Sequence, residues 1–510
     1  MTDKPHSDEP GGAPPPDADS VLLSNVRPSG YKNPTPRERY DLVVIGAGAG
    51  GLVSSAIAAG IGARVALVEE HRLGGDCLNT GCVPSKGLIA AARSWEAARR
   101  SSDSFGGPQV AGTGDFRRAM DRMRKLRASI SPADSVERFS AMGVDVFLGK
   151  ACFAGPARVE VDGAALNFRR AIIATGSRPV LPEIEGLEEV DCLDNTTLFD
   201  LDELPGRMVI VGAGPVGCEM AQCFARFGSE VTLLEAAGEV LPREDPDAAA
   251  VVRAALEADG VRCVRGAGIE KVEAIDGGSR VHYVQAGAPG SAEGDKLLVA
   301  AGRVANVEGM GLRSAGVGSD ASGILVDGQL RTDNPCIYAV GDVCSQEKFT
   351  HAADAQARIA VQNALFFRRL EVRRLVVPRC TYTSPELAHV GLDPQAAGLA
   401  GIKLDTLTVP MEENDRSVLD GEEKGFLRLY LRRGSDRILG ATVLSSQAGE
   451  LIAELSLAVT HKLGLRKLGS TIRPYPTRSE VISRACGQWQ RARLGPVLGR
   501  IFKVFLGIFR

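Results

Sequence analysis

Short apolar runs alternate with glycine clusters along the chain, and two of these runs share one setting. Asp41-Leu42-Val43-Val44-Ile45 is continuously apolar after its first residue, which predicts a strand buried on both faces of a parallel sheet. It runs into Gly46-Ala47-Gly48-Ala49-Gly50-Gly51, then a small-residue helix, then a second strand ending at Glu69. The pattern returns as Met208-Val209-Ile210-Val211, Gly212-Ala213-Gly214-Pro215-Val216-Gly217 and Val231-Thr232-Leu233-Leu234-Glu235. Each acid lies 23 residues after the first glycine of its loop. From about Leu375 the rhythm changes. Strand-like runs such as 425–431 alternate with helical stretches such as 449–461, which predicts an α+β unit.

The glycines explain what the repeat is for. Such a loop lets a pyrophosphate approach a helix N-terminus, and the acid accepts hydrogen bonds from a ribose. One copy is often only a tight strand–helix turn. Two copies in matching context predict paired dinucleotide sites, built on Gly46, Gly48, Gly51 and Glu69 and on Gly212, Gly214, Gly217 and Glu235. A carboxylate at Glu235 favours a free 2′-hydroxyl and repels a 2′-phosphate, so NADH is expected over NADPH. Ala236 and Ala237 supply no guanidinium, and the nearest downstream base, Arg243, is expected to pair with Glu244 or Asp245.

Between the two units lies the segment from Gly74 to Lys86, with Cys77 and Cys82 at the mouth of a helix that Pro84 suits in its first turn. A thiolate at Cys82 faces the positive end of that helix, which lowers its pKa and makes it a nucleophile or electron donor. The competing readings are two unrelated buried cysteines or half of a zinc site. Zinc needs two more ligands at recognisable spacing, and no second cysteine pair or histidine cluster follows. No metal site is therefore expected.

Bulk properties narrow the class. A chain of 510 residues with 44% hydrophobic and 24% charged residues has room for about three domains. The net charge of −3 predicts no nucleic-acid surface. Eleven scattered cysteines do not resemble an extracellular disulfide framework, so a reducing cytoplasm is expected. Residues 1–38 hold eight prolines and little apolar content, and read as a disordered tail.

The Gly74–Lys86 run resembles the active-site segment of the class I pyridine nucleotide–disulfide oxidoreductases, which include dihydrolipoamide dehydrogenase, glutathione reductase and mercuric reductase. The likeness extends over roughly Tyr40 to Ala485. It implies that Cys77 exchanges with substrate, that Cys82 forms a charge-transfer contact with the flavin, and that Lys86 lies near the flavin ring. By order on the chain it makes the first glycine loop the FAD site and the second the nicotinamide site. Ala174-Thr175-Gly176 resembles the second FAD-side motif, and Ala301-Gly302-Arg303 with Asn306 the end of the nicotinamide domain. In Tyr338-Ala339-Val340-Gly341-Asp342 the aspartate would hold the ribityl chain, and Glu219 matches a glutamate expected to pair with Lys86.

The expected architecture is α/β, with two Rossmann-like domains and a C-terminal α+β dimerisation domain. Its parts are the FAD domain at 39–185 and 306–374, the nicotinamide domain at 186–305, the dimerisation domain at 375–490 and a tail at 491–510. The family's usual pattern near the end of the dimerisation domain is His-Pro-Thr followed by a glutamate, completing the partner's disulfide site. Here the stretch reads Pro474-Tyr475-Pro476-Thr477, with Glu480 retained. A phenol titrating near 10 is a poor base at neutral pH. This departure counts against ordinary dithiol chemistry and resembles the mercuric reductase branch, although that branch's terminal cysteine pair is missing.

The expected substrate is thus a metal–thiolate, such as Hg(II) held at Cys77 and Cys82, or a disulfide, with dihydrolipoamide dehydrogenase-like chemistry as the alternative. From Val481 onward six basic residues and no acid accompany an apolar helix face. Residues 494–510 are therefore a candidate peripheral membrane contact, with burial in the homodimer as the competing reading. A membrane-associated redox sensor or electron-transfer protein is the alternative from another class.

Overall fold

The computed structural model describes residues 17–508 except 111, 113, 367, 368 and 495. The first element is helix α1 (Ala18–Val26), capped by Asp17, whose side chain accepts from Ser20 N. This corrects the expectation of disorder through residue 38. Leu22 and Val26 are fully buried in the same apolar cluster as Leu42, Val44 and Leu67, and Ala18 and Val21 pack beside them. Proline-rich composition hid a helix whose apolar spacing at 18, 21, 22 and 26 is regular. Residues 1–16 lie outside the described residues.

The first dinucleotide unit follows as β1 (Tyr40–Ile45), α2 (Ala49–Gly60) and β2 (Val65–Glu69). The chain then forms α3 (Gly75–Asn79), α4 (Cys82–Phe105) and α5 (Phe116–Ile130) before returning as β3 (Val144–Leu148). Strands β4 (Ala151–Gly155), β5 (Arg158–Val161) and β6 (Ala164–Ile173) complete the order β3-β2-β1-β6-β5-β4, with a later strand on β6. β1 lies parallel to both β2 and β6, with Val43 opposite Ala66 and Ala171. Its side chains are buried on both faces, as an unbroken Leu-Val-Val-Ile run requires.

The second unit repeats the design with β7 (Arg207–Val211), α6 (Pro215–Phe227) and β8 (Glu230–Glu235). β9 (Arg262–Arg265) and β10 (Lys296–Val299) extend a parallel sheet, and an antiparallel sheet of 267–294 covers one side. β11 (Ile337–Ala339) returns to β6, and α7 (Thr350–Leu365) packs against α2.

The C-terminal unit is a five-stranded antiparallel sheet. In chain order it contains β12 (Arg379–Thr381), β13 (Glu386–Gly391), β14 (Leu404–Pro410), β15 (Phe426–Arg432) and β16 (Ile438–Ser445). Helix α8 (Ala448–Thr460) buries Leu451, Ile452 and Leu455 against β13 and β16. Helices α9 (Glu480–Arg493) and α10 (Pro496–Ile508) close the chain.

Candidate redox and nucleotide site

The two glycine loops are built alike to the level of single hydrogen bonds. Ala47 N donates to Glu69 Oε2 at 2.7 Å, and Ala213 N donates to Glu235 Oε2 at 2.7 Å. The other carboxylate oxygen accepts from His71 N in one copy and Ala237 N in the other, both at 2.8 Å. Burial pushes the Glu69 carboxyl up, against these two backbone donors.

The glycines divide by role. A Cβ on Gly51 would stand 1.7 Å from the Gly46 carbonyl oxygen, and one on Gly217 would stand 1.9 Å from that of Gly212. These glycines let helix and strand touch. Gly46 and Gly212 have φ of 98° and 99°, and a Cβ on either would strike the next strand's end, at Ala174 or Ala300. Gly214 instead has no atom within 4 Å of its missing Cβ, and Gly48 has only Gly75 at 3.8 Å. Both are helix N-caps without a side-chain bond, which leaves first-turn N–H groups for an anion such as a pyrophosphate. The residues present therefore suit a dinucleotide at each loop.

Ala174 follows β6 beside the first loop, with its N–H on the Ile45 carbonyl. Thr175 exchanges hydrogen bonds with Asn306, at 2.8 and 2.9 Å, and Gly176 turns the chain at φ 69°. Gly302 adopts φ 143° beside Arg303. Gly341 N is held by Gln356 at 2.7 Å, and Asp342 accepts from Ser177 Oγ at 2.6 Å. Arg303 in turn holds Ser177 Oγ at 2.8 Å and pairs with Asp76, next to Cys77.

Cys77 ends the first turn of α3, and Cys82 is the first residue of α4. Both stand as thiols, with Cys82 open at the surface and Cys77 half-buried. Their shared hydrogen bond separates them chemically. It raises the Cys77 pKa, together with burial, and lowers that of Cys82 to about 6. Burial opposes the Cys82 shift, while a hydrogen bond from Thr350 and the charge of Lys86 reinforce it. Thr350 Oγ1 lies 3.5 Å from the sulfur. Elsewhere burial pushes Cys263 and Cys344 up to about 12, so an ordinary buried thiol here moves the other way.

Lys86 lies one turn into α4 and donates to Glu219 Oε2 at 2.9 Å, crossing from the first nucleotide unit to the second. Glu219 is 4% exposed and also accepts from Tyr382 N at 2.8 Å, while the Lys86 ammonium sits 4.7 Å over the Tyr382 ring. Arg243 does not take its expected carboxylates. Glu244 pairs with Arg379 at 2.7 Å and Asp245 with Arg428 at 2.7 Å, because strands β12 and β15 bring those arginines closer.

Tyr475 and Glu480 lie in the C-terminal unit and are not gathered with the thiols within one chain. Tyr475 is 69% exposed and its hydroxyl donates to Asp415 Oδ2 at 2.8 Å. That bond raises the phenol pKa. Glu480 opens α9, with Oε2 buried and unpaired among the described residues. The motif-based reading missed Thr350, Arg303 as a clamp on Asp76, and Asn195, which donates to the Thr80 carbonyl at 3.2 Å. Only Arg303 had a local signal, as the third residue of Ala-Gly-Arg. Among the described residues, no group of three His, Cys, Asp or Glu side chains is placed to hold a metal.

Comparison with known proteins agrees with this arrangement. The pyridine nucleotide-disulphide oxidoreductase profile matches residues 40–357, and the dimerisation domain of that family matches 377–486. A mercuric reductase of Lysinibacillus sphaericus is 35% identical over 451 residues, covering 88% of this chain and 82% of that protein. A dihydrolipoyl dehydrogenase of Thermus scotoductus is also 35% identical, over 465 residues, covering 88% and 96%. Among solved structures, the HOCl-induced flavoprotein disulfide reductase RclA from Escherichia coli aligns with TM-score 0.79 at 28% identity, covering 88% of this chain and 99% of that one.

Proposed function

Because the chain belongs to the pyridine nucleotide-disulphide oxidoreductase family, we propose that it is the mercuric reductase-like kind, a homodimer that reduces a soft electrophile through Cys77 and Cys82. The loop of Gly46, Gly48 and Gly51 would hold FAD, which when bound would supply two-electron transfer between the reduced nicotinamide and the Cys77–Cys82 disulfide. The half-reaction balances as NADH plus disulfide giving NAD⁺, one thiol and one thiolate. The thiol is Cys77, whose pKa is raised, and the thiolate is Cys82, whose pKa is about 6. Lys86 faces the thiolate as its counter-charge, and Glu219 fixes that lysine. Cys77 then bonds the incoming metal or disulfide sulfur and displaces a thiolate, which leaves carrying the Cys77 proton, with the partner subunit's Tyr475 and Glu480 alongside.

One observation carries the choice of substrate class. Tyr475 occupies the position of the family's histidine and donates its proton to Asp415, so at neutral pH it is a phenol that accepts no further proton. A dithiol substrate needs a base there, whereas a metal–thiolate exchanges ligands without one. Steady-state oxidation of NADH with a Hg(II)–thiolate, lipoamide and a quinone is the test. We expect the metal–thiolate to stimulate turnover most. Preference for lipoamide would move the protein to the dihydrolipoyl dehydrogenase side, and fast flavin reduction with no acceptor active would point to a redox sensor.

NADH is the proposed nucleotide, supported by the Glu235 carboxylate at the end of β8. Glu235→Ala frees the Ala213 and Ala237 N–H groups whichever nucleotide binds, and should lower kcat/KM for NADH roughly tenfold more than for NADPH, the worth of a charged hydrogen bond to the ribose. An equal fall for both would refute the ribose contact.

Helix α10 supports a second site of action, peripheral membrane contact, since Phe502, Val504, Leu506 and Ile508 are exposed beside Lys503. Among the described residues no helix is long and apolar enough to cross a membrane. Flotation with anionic vesicles should be lost on deletion of 494–510. Equal flotation of both forms would remove the contact.

A further inference from the structure

We infer that α1 and Arg127 form a strap that positions the redox loop, resting on the reading of Cys77 and Cys82 as the redox pair. The four residues between the cysteines contain Asn79, which is buried and donates to the carbonyls of Leu73 and Gly75 at 3.0 and 2.9 Å. Its backbone carbonyl accepts from Arg127 Nη1 at 2.9 Å.

Arg127, near the end of α5, is 4% exposed, and its Nε has no partner among the described residues. A guanidinium so enclosed needs a counter-charge, and Asp19 of α1 supplies it at 2.8 Å. The other end of α1 grips the far flank of the loop. Val26 O accepts from Leu73 N at 3.1 Å, and Arg27 donates to the carbonyls of Glu70 and His71. Asn25 joins α1 to Ser131 at 2.8 Å, just beyond α5. One short helix thus holds both sides of the segment that carries Cys77, and it lies outside the family match, which begins at residue 40.

A held loop keeps the two sulfurs at high effective concentration, so loosening it disfavours disulfide closure. The closure constant is read on the full-length holoenzyme by thiol labelling in lipoate redox buffers. Arg127→Met should lower it roughly tenfold, the worth of one charged hydrogen bond, which makes the couple about 30 mV more oxidising. Asp19→Asn, which keeps a hydrogen-bond acceptor for Arg127 at a site 49% exposed and removes only the charge, should shift it in the same direction by about threefold, for a partly screened pair. NADH-dependent reduction of the flavin should keep its wild-type rate in both.

Wild-type closure in both variants, or a change matched by equal loss of bound flavin, would overturn the strap. An effect in Arg127→Met alone would remove α1 from the account. If the wild-type pair itself does not close in these buffers, it is the redox reading that fails.

Discussion

Cys82 is the residue at which environment most changes chemistry. An ordinary thiol titrates near 9, and here a hydrogen bond from Cys77, aided by Thr350 and Lys86, brings Cys82 to about 6. The thiolate predominates at pH 7 and is lost as pH falls through about 6, so alkylation of the reduced enzyme at Cys82 should slow below that pH. A profile with its midpoint near 9 would contradict the assignment. Lys86→Met should move the midpoint upward. It should also destabilise the fold by about 1–2 kcal/mol, since Glu219 stays buried with only the Tyr382 N–H. The loss falls short of that for a fully enclosed pair because Lys86 is 36% exposed. Thermal unfolding and the alkylation profile, measured on one sample, check both halves. Cys77, Cys82 and Lys86 were legible in the sequence because one contiguous run carries them. Thr350 was not, since it reaches Cys82 across 268 residues from the start of α7 and only the folded chain joins them.

At the scale of elements, the two βαβ units were legible because their signals are local. A buried strand, a glycine loop and a terminal acid all fall within a few dozen residues, and each contact repeats in the second copy. The same locality gives a contrast to test. Gly214→Ala adds a methyl where no atom lies within 4 Å, so the fold should keep its stability within about 0.5 kcal/mol while KM for NADH rises. Gly217→Ala drives a methyl into the Gly212 carbonyl and should cost about 3 kcal/mol or more. Equal melting temperatures for the two variants would refute the division of roles. Helix α1 escaped the reading for the opposite reason. Composition over 38 residues was dominated by proline, and the helix is stable only through Leu22 and Val26 packed on the first domain.

The whole molecule joins these parts through a few long-range pairs. Lys86–Glu219 links the two nucleotide units, and Arg93–Glu386 links α4 to the C-terminal sheet. Tyr475 is exposed on the dimerisation domain, and on the proposed reading it completes the second subunit's site. Its sequence position was legible from the Pro-Tyr-Pro-Thr motif, whereas Asp415, whose carboxylate accepts its hydrogen bond, lies 60 residues earlier. All of this serves one claim, that Cys82 is the thiolate which exchanges charge with the flavin. Long-wavelength absorbance of the two-electron-reduced enzyme measures it directly. The band should be present in the wild-type protein and abolished in Cys82→Ser with full flavin content; a Cys82→Ser enzyme that keeps the band would contradict the account.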